Sequence, residues 1–155
     1  MHFALFHSRF PEMAEAETRV ITILRHDRLP ADEYALLESY CEQPECDCRR
    51  AMLSVVSRRQ QRPLAVIAYG WEDEAFYQRW LRDDDPELIS ELRGPVLNRL
   101  SQQSPLAPVL LEIVAEKVLA DEAYIGRLKR HYRLFKKALK KEQRKRKNIP
   151  PQRRG

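Results

Sequence analysis

The sequence predicts an α+β fold, a small antiparallel meander of three to four strands followed by a helical C-terminal half. Three observations carry the prediction. Apolar and β-branched segments cluster between Thr18 and Tyr69 with short connections. The apolar spacing turns helical after Gly70. One cysteine-rich bend, Cys41-Glu-Gln-Pro-Glu-Cys46-Asp-Cys48, lies between two of the apolar segments. At 155 residues the chain fits one domain. We place that domain at 1–147, with an irregular arm over 1–17 and a disordered basic tail over 148–155.

Residues Met1 to Glu17 show no period, hence the arm. Thr18 to Leu24 is rich in β-branched residues and reads as a strand. Arg25 to Asp32, with Pro30, is a loop. Glu33 to Cys41 has both helical spacing and an alternation that puts Tyr34, Leu36, Glu38 and Tyr40 on one face. A strand is favoured, because a strand entering the cysteine bend pairs naturally with one leaving it. Arg49 to Ser57 is that second strand, and Pro63 to Tyr69 follows after a polar turn. Short connections make an antiparallel meander the economical topology.

Past Gly70, Trp71, Ala75, Phe76 and Trp80 recur at helical spacing as far as Leu81. Asp85-Pro86 reads as an N-cap with proline at the first helical position. That helix should reach Arg93, where Gly94-Pro95 interrupts it, and another short helix is expected up to Gln102. Val109 to Leu119 is apolar around most of its circumference and therefore predicted to be buried. Asp121 can cap a final helix whose stripe is Ile125, Leu128, Tyr132, Phe135 and Leu139. The acidic clusters at Glu72-Asp-Glu74 and Asp83-Asp-Asp85 fall in first turns or caps, where the helix dipole favours carboxylates.

The chain has no cysteine besides the three in the bend. An odd number cannot pair fully within one chain, so metal binding is favoured over disulfides. Zinc takes four nitrogen or sulfur ligands in a tetrahedron. A four-residue loop kinked at Pro44 can bring Cys41 and Cys46 onto one ion, and Cys48 joins if Asp47 faces away. The spacing therefore predicts a structural Zn2+ site with ligands Cys41, Cys46, Cys48 and His131. His131 is chosen because it borders the stripe of the last helix. His26 is the second choice, and His2 and His7 lie in a segment that spacing does not place. Arg49 and Arg50 either offset thiolate charge or end a strand in solvent, and alternation sends them to opposite faces.

The run Tyr40-Cys41-x4-Cys46-Asp47-Cys48-Arg49-Arg50 resembles a hairpin of uncharacterised bacterial proteins. The resemblance spans Tyr34 to Ser57, with an echo at His131-Tyr132. It implies that the cluster acts as one unit and implies no activity.

The net charge of +5 hides a division. Arg127 to Gly155 carries 14 Lys or Arg and one acid, whereas the preceding 126 residues carry 14 basic and 22 acidic residues. Such asymmetry suggests an anionic partner. Lys129, Arg130, Arg133, Lys136, Lys137, Lys140, Lys141 and Arg144 lie largely off the apolar stripe, as a phosphate-tracking row for RNA or DNA would. Tyr124 and Tyr132 can stack on bases but at this spacing belong to the core.

No HExxH, no H-x-E with P-C-x-x-C, no glycine-rich phosphate loop and no G-x-S-x-G is present, so an enzyme is not expected. The expected role is non-enzymatic binding to nucleic acid. The alternatives are a protein-interaction adaptor, whose partner is a protein, and a cysteine-based redox sensor. A membrane partner is not expected, since no apolar run approaches the ~18–20 residues that span a bilayer. The N-terminus lacks the pattern of a secretory signal, which makes the cytoplasm the expected location.

Overall fold

A computed structural model of the chain describes residues 2–150. The α+β expectation holds. Strands β1 (Phe3–Leu5), β2 (Arg19–Ile23), β3 (Asp32–Cys41), β4 (Arg50–Ser57), β5 (Arg62–Gly70) and β6 (Val96–Leu97) build one antiparallel sheet. β3, β4 and β5 are the predicted meander. On the other side of β3, β2 pairs along Asp32 to Leu36 and β1 along Ser39 to Cys41. The ambiguous Glu33 to Cys41 segment is thus a strand, and Tyr34, Leu36, Glu38 and Tyr40 alternate as its buried residues. Burial of an acid among them sets up a demand for a partner that only another element can meet.

Helices α1 (Phe6–Arg9), α2 (Pro11–Glu17), α3 (Glu74–Leu81), α4 (Pro86–Arg93), α5 (Ala107–Ile113) and α6 (Glu122–Lys147) complete the fold, with a π-helical turn over Val114–Val118 after α5. Asp73, Asp85 and Asp121 each accept a backbone N–H as N-caps of α3, α4 and α6, satisfying donors the helix cannot pair itself. α6 buries Tyr124, Leu128, His131, Tyr132, Phe135, Lys136 and Leu139. Four of these belong to the predicted stripe, while Ile125 is only half-buried.

Two expectations are corrected. The irregular arm of residues 1–17 is instead a strand and two short helices over its described part. Phe6 is buried, stacks on Phe10 at 4.9 Å, and packs the arm onto the core. Elements of three, four and seven residues are too short to show a period. The short helix expected between Gly94 and Gln102 is β6 followed by turns. There the edge of β5 is completed by side chain: Val66 N–H donates to Gln103 Oε1 at 2.9 Å, and Gln103 Nε2 donates back to Val66 O at 2.9 Å. In α3 the buried residue is Tyr77, with Phe76 and Trp80 half-buried. Of the expected tail, residues 148–150 are exposed beyond α6 and residues 151–155 lie outside the described residues.

Candidate metal centre and adjoining cationic cleft

The connection from β3 to β4 carries the cysteines, and backbone pairing fixes both of its ends. Cys41 is in register with Phe3 of β1, and Glu42 N–H donates to His2 O at 2.9 Å. Cys46 N–H closes a turn on Gln43 O at 3.1 Å. At the other end Arg49 adopts φ 51°, a left-handed conformation that costs a non-glycine residue energy and needs local support. Support comes from three directions. Arg49 N–H donates to Tyr132 Oη at 3.2 Å, Tyr77 Oη donates to Arg49 O at 2.9 Å, and Trp71 N–H donates to the same carbonyl at 3.3 Å.

The three sulfurs lie within 4.8 Å of one another. Four-coordinate zinc with Zn–S near 2.3 Å places its sulfurs about 3.8 Å apart, so the cluster fits a thiophilic ion with little adjustment. Cys41 and Cys48 are fully buried, and Cys46 is half-buried at the rim. Burial and the neighbouring Cys41 sulfur push the Cys46 thiol up. Burial, reinforced by Cys46 and Cys41, pushes Cys48 up to about 12. Cys46 and Cys48 so placed resist ionisation, and a bound cation is what would stabilise thiolates at this bend. Asp47 points away from the sulfurs, as a shared site requires. It accepts from Tyr132 Oη at 2.9 Å and from Arg49, whose guanidinium also reaches Glu72 at 3.2 Å.

His131 is not brought to the sulfurs. No histidine, aspartate or glutamate joins the three cysteines among the described residues. The imidazole is fully buried between two carboxylates, with Nδ1 2.7 Å from Glu38 and Nε2 3.0 Å from Glu17. An ionised carboxylate only accepts, so an imidazole held this way donates from both nitrogens and is the cation. Burial pulls its pKa down, but the hydrogen bonds to Glu38 and Glu17 outweigh that, and the net shift is upward. Phe6 stacks on the ring at 4.2 Å, and Tyr40 Oη donates to Glu38 at 2.5 Å. His131 is therefore the partner Glu38 demanded, and it joins β3, the arm and α6. His26 instead accepts from Arg28 N–H in its own loop at 3.0 Å.

The residue of α6 that does reach the cysteine bend is Lys136. Its buried ammonium donates to Cys41 O at 2.9 Å and Gln43 O at 2.8 Å. Both acceptors are backbone, so sequence spacing alone held no signal for this clamp. Glu38 did leave one, as the lone acid in an apolar alternation.

The bend and α6 together enclose a cleft of about 770 Å³. Cys46 and Asp47 stand on one wall, and Arg133, Lys137, Lys140 and Arg144 on the other, with Lys141 and Lys136 also lining it. Two of the eight predicted cations lie elsewhere. Lys129 does not line the cleft, and Arg130 is paired with Glu17. Among the described residues Arg133, Lys137, Lys140, Lys141 and Arg144 form no ion pair. Glu45 and Asp47 temper the cationic field at the rim.

Among known proteins, no family model, curated protein or solved structure matches the chain. No helix among the described residues is long and apolar enough to cross a membrane.

Proposed function

We propose that the chain is a non-enzymatic, zinc-stabilised protein that binds the phosphate backbone of RNA or DNA in the cleft between its cysteine bend and α6. One observation carries the reading: half-exposed Cys46 and the unpaired cations of α6 line the same cleft. An all-thiolate donor set suits zinc, with Cys41, Cys46 and Cys48 as ligands and the fourth donor supplied from outside the histidines and acids of this chain. Bound metal would stiffen the wall that carries Pro44 to Asp47, and the row from Arg133 to Arg144 would contact phosphates. Tyr132 is buried with its hydroxyl engaged by Asp47, so it offers no stacking face. Recognition without stacking or base-edge contacts follows the backbone and is insensitive to sequence.

The redox alternative draws no support from these thiols, because an attacking thiol needs a lowered pKa and access. Here the Cys46 and Cys48 thiols are raised, and Cys41 and Cys48 are buried.

The test titrates a fluorescent single-stranded RNA with zinc-loaded and chelated protein across a salt series. The loaded protein should bind with affinity falling steeply as salt rises, and chelation should weaken binding at every salt. Absence of binding at low ionic strength, or binding indifferent to salt, overturns the nucleic-acid reading. Binding unaffected by complete metal removal uncouples the metal from the cleft.

A further inference from the structure

Beside α4 and β6 a second cleft, of about 470 Å³, opens over the start of β4. Its wall is largely aliphatic, with Leu81, Leu88, Leu92 and Leu97 around it and Leu100 at the mouth. Leu88 is 43% and Leu100 is 98% exposed, unusual for leucines that gather around one opening. The charged residues lining it are Arg50, Glu91 and Arg99, and the last two pair with each other at 2.5 Å. Arg50 is thus the uncompensated charge.

The two adjacent arginines have different fates. Arg49 is neutralised by Asp47 and Glu72. Arg50 points to the opposite face and is nine-tenths buried. Its Nε donates to Leu92 O at 2.9 Å, which fixes the plane of the guanidinium. Its two terminal nitrogens have no acceptor and no carboxylate partner among the described residues, yet they belong to a side chain lining the cleft. The terminal nitrogens are open to the cleft and not sealed from solvent, and a planar carboxylate is the group that matches a guanidinium fork. Pockets of this size, mostly apolar with one convergent polar group, are the usual form of small-molecule sites.

We propose that this cleft binds an aliphatic monocarboxylate, its head group on the free N–H arms of Arg50 and its chain along Leu88, Leu92 and Leu97. A single guanidinium suits a singly charged head group, and the leucine wall suits an unbranched hydrocarbon chain. The site is independent of the cysteine bend and of the cationic cleft.

The experiment is a titration of isotope-labelled protein, followed by amide chemical shifts, with decanoate and with decan-1-ol of the same chain length. Decanoate should saturate with shifts confined to α4, β6 and the start of β4, and decan-1-ol should bind at least tenfold more weakly. Arg50→Met should abolish that preference. Should this buried substitution unfold the protein, Leu88→Glu at an exposed position keeps the test alive, and it should weaken decanoate by tenfold or more. Equal affinity for acid and alcohol, shifts centred elsewhere, or unchanged decanoate binding in Leu88→Glu would each overturn the proposal. A leucine-ended peptide binding more tightly than decanoate would overturn it in favour of a protein tail.

Discussion

The two halves of α6 use their cations in opposite ways. In the first half, Arg127 donates to Glu17 O at 2.7 Å, Arg130 pairs with Glu17, and His131 sits between Glu17 and Glu38. From Arg133 onward, Arg133, Lys137, Lys140, Lys141 and Arg144 are without ion pairs among the described residues, and Lys136 is spent on backbone carbonyls. One stretch is neutralised by acids from the arm and the sheet and fastens the fold. The other leaves a net positive row beside the cysteine bend. Composition alone made the whole helix look like one basic surface. The comparison shows that its later part gathers unpaired cations along the cysteine cleft, while acidic residues engage Arg127, Arg130 and His131 of its earlier part.

The largest effect that can break this division lies at the bend. Chelation, or Cys48→Ser, should lower Tm by about 10 °C or more. Structural zinc in finger peptides contributes about 10–16 kcal/mol apparent, and each kcal/mol moves Tm by about 2–4 °C at this chain length. Calorimetry with and without chelator measures it, and an unchanged curve after complete metal removal would take the metal out of the fold.

Next comes the neutralised half. His131→Leu strands the buried Glu38 carboxylate and should cost about 3 kcal/mol, with metal stoichiometry unchanged. The cost should depend on pH. The folded imidazole titrates above its ordinary 6.5, so its contribution is complete below about pH 6.5 and is lost as pH rises through the folded value. The hydrogen bond from His131 holds Glu17 below its ordinary 4.5, so that part fades as pH falls through the lower folded value. Denaturation of wild type and variant should therefore differ most between about pH 4.5 and 6.5, and the gap should shrink as pH rises above that window. A gap that widens with rising pH would contradict the imidazolium assignment.

Lys136→Met removes both ammonium hydrogen bonds, leaving Gln43 O with only its Cys46 N–H and taking the side-chain donor from Cys41 O, and should destabilise by about 1–3 kcal/mol, measurable by urea denaturation. No loss would mean that water replaces the ammonium without cost.

The smallest stability effect belongs to the free row, where Lys137→Ala, Lys140→Ala and Lys141→Ala together should leave Tm nearly unchanged. The same triple variant should reduce the slope of log affinity against log salt for single-stranded RNA by about 2. Lys129→Ala, outside the cleft, should leave that slope alone. Equal effects of the two variants would erase the distinction between the halves.

The meander, the caps at Asp85 and Asp121, and four of the five stripe residues of α6 were legible because each rests on local spacing or on one side chain meeting its own backbone. The convergence of the cysteines was legible for the same reason, since eight consecutive residues bent at Pro44 leave three sulfurs few places to go. The arm was not legible, because its elements are stabilised by Phe6 meeting α6 and not by their own period. The fate of His131 was not legible either. Periodicity placed it at the core stripe, but two carboxylates from residues 93 and 114 positions away decide what it binds.

By itself, then, the sequence determined strands β2 to β5, the helices α3, α4 and α6, and the shared bend of Cys41, Cys46 and Cys48, all products of short-range geometry. Only the tertiary structure decided which charges cancel. Coulomb attraction acts through space, and folding brought Glu17 and Glu38 to the first half of α6 while leaving Arg133 to Arg144 facing the cysteine cleft.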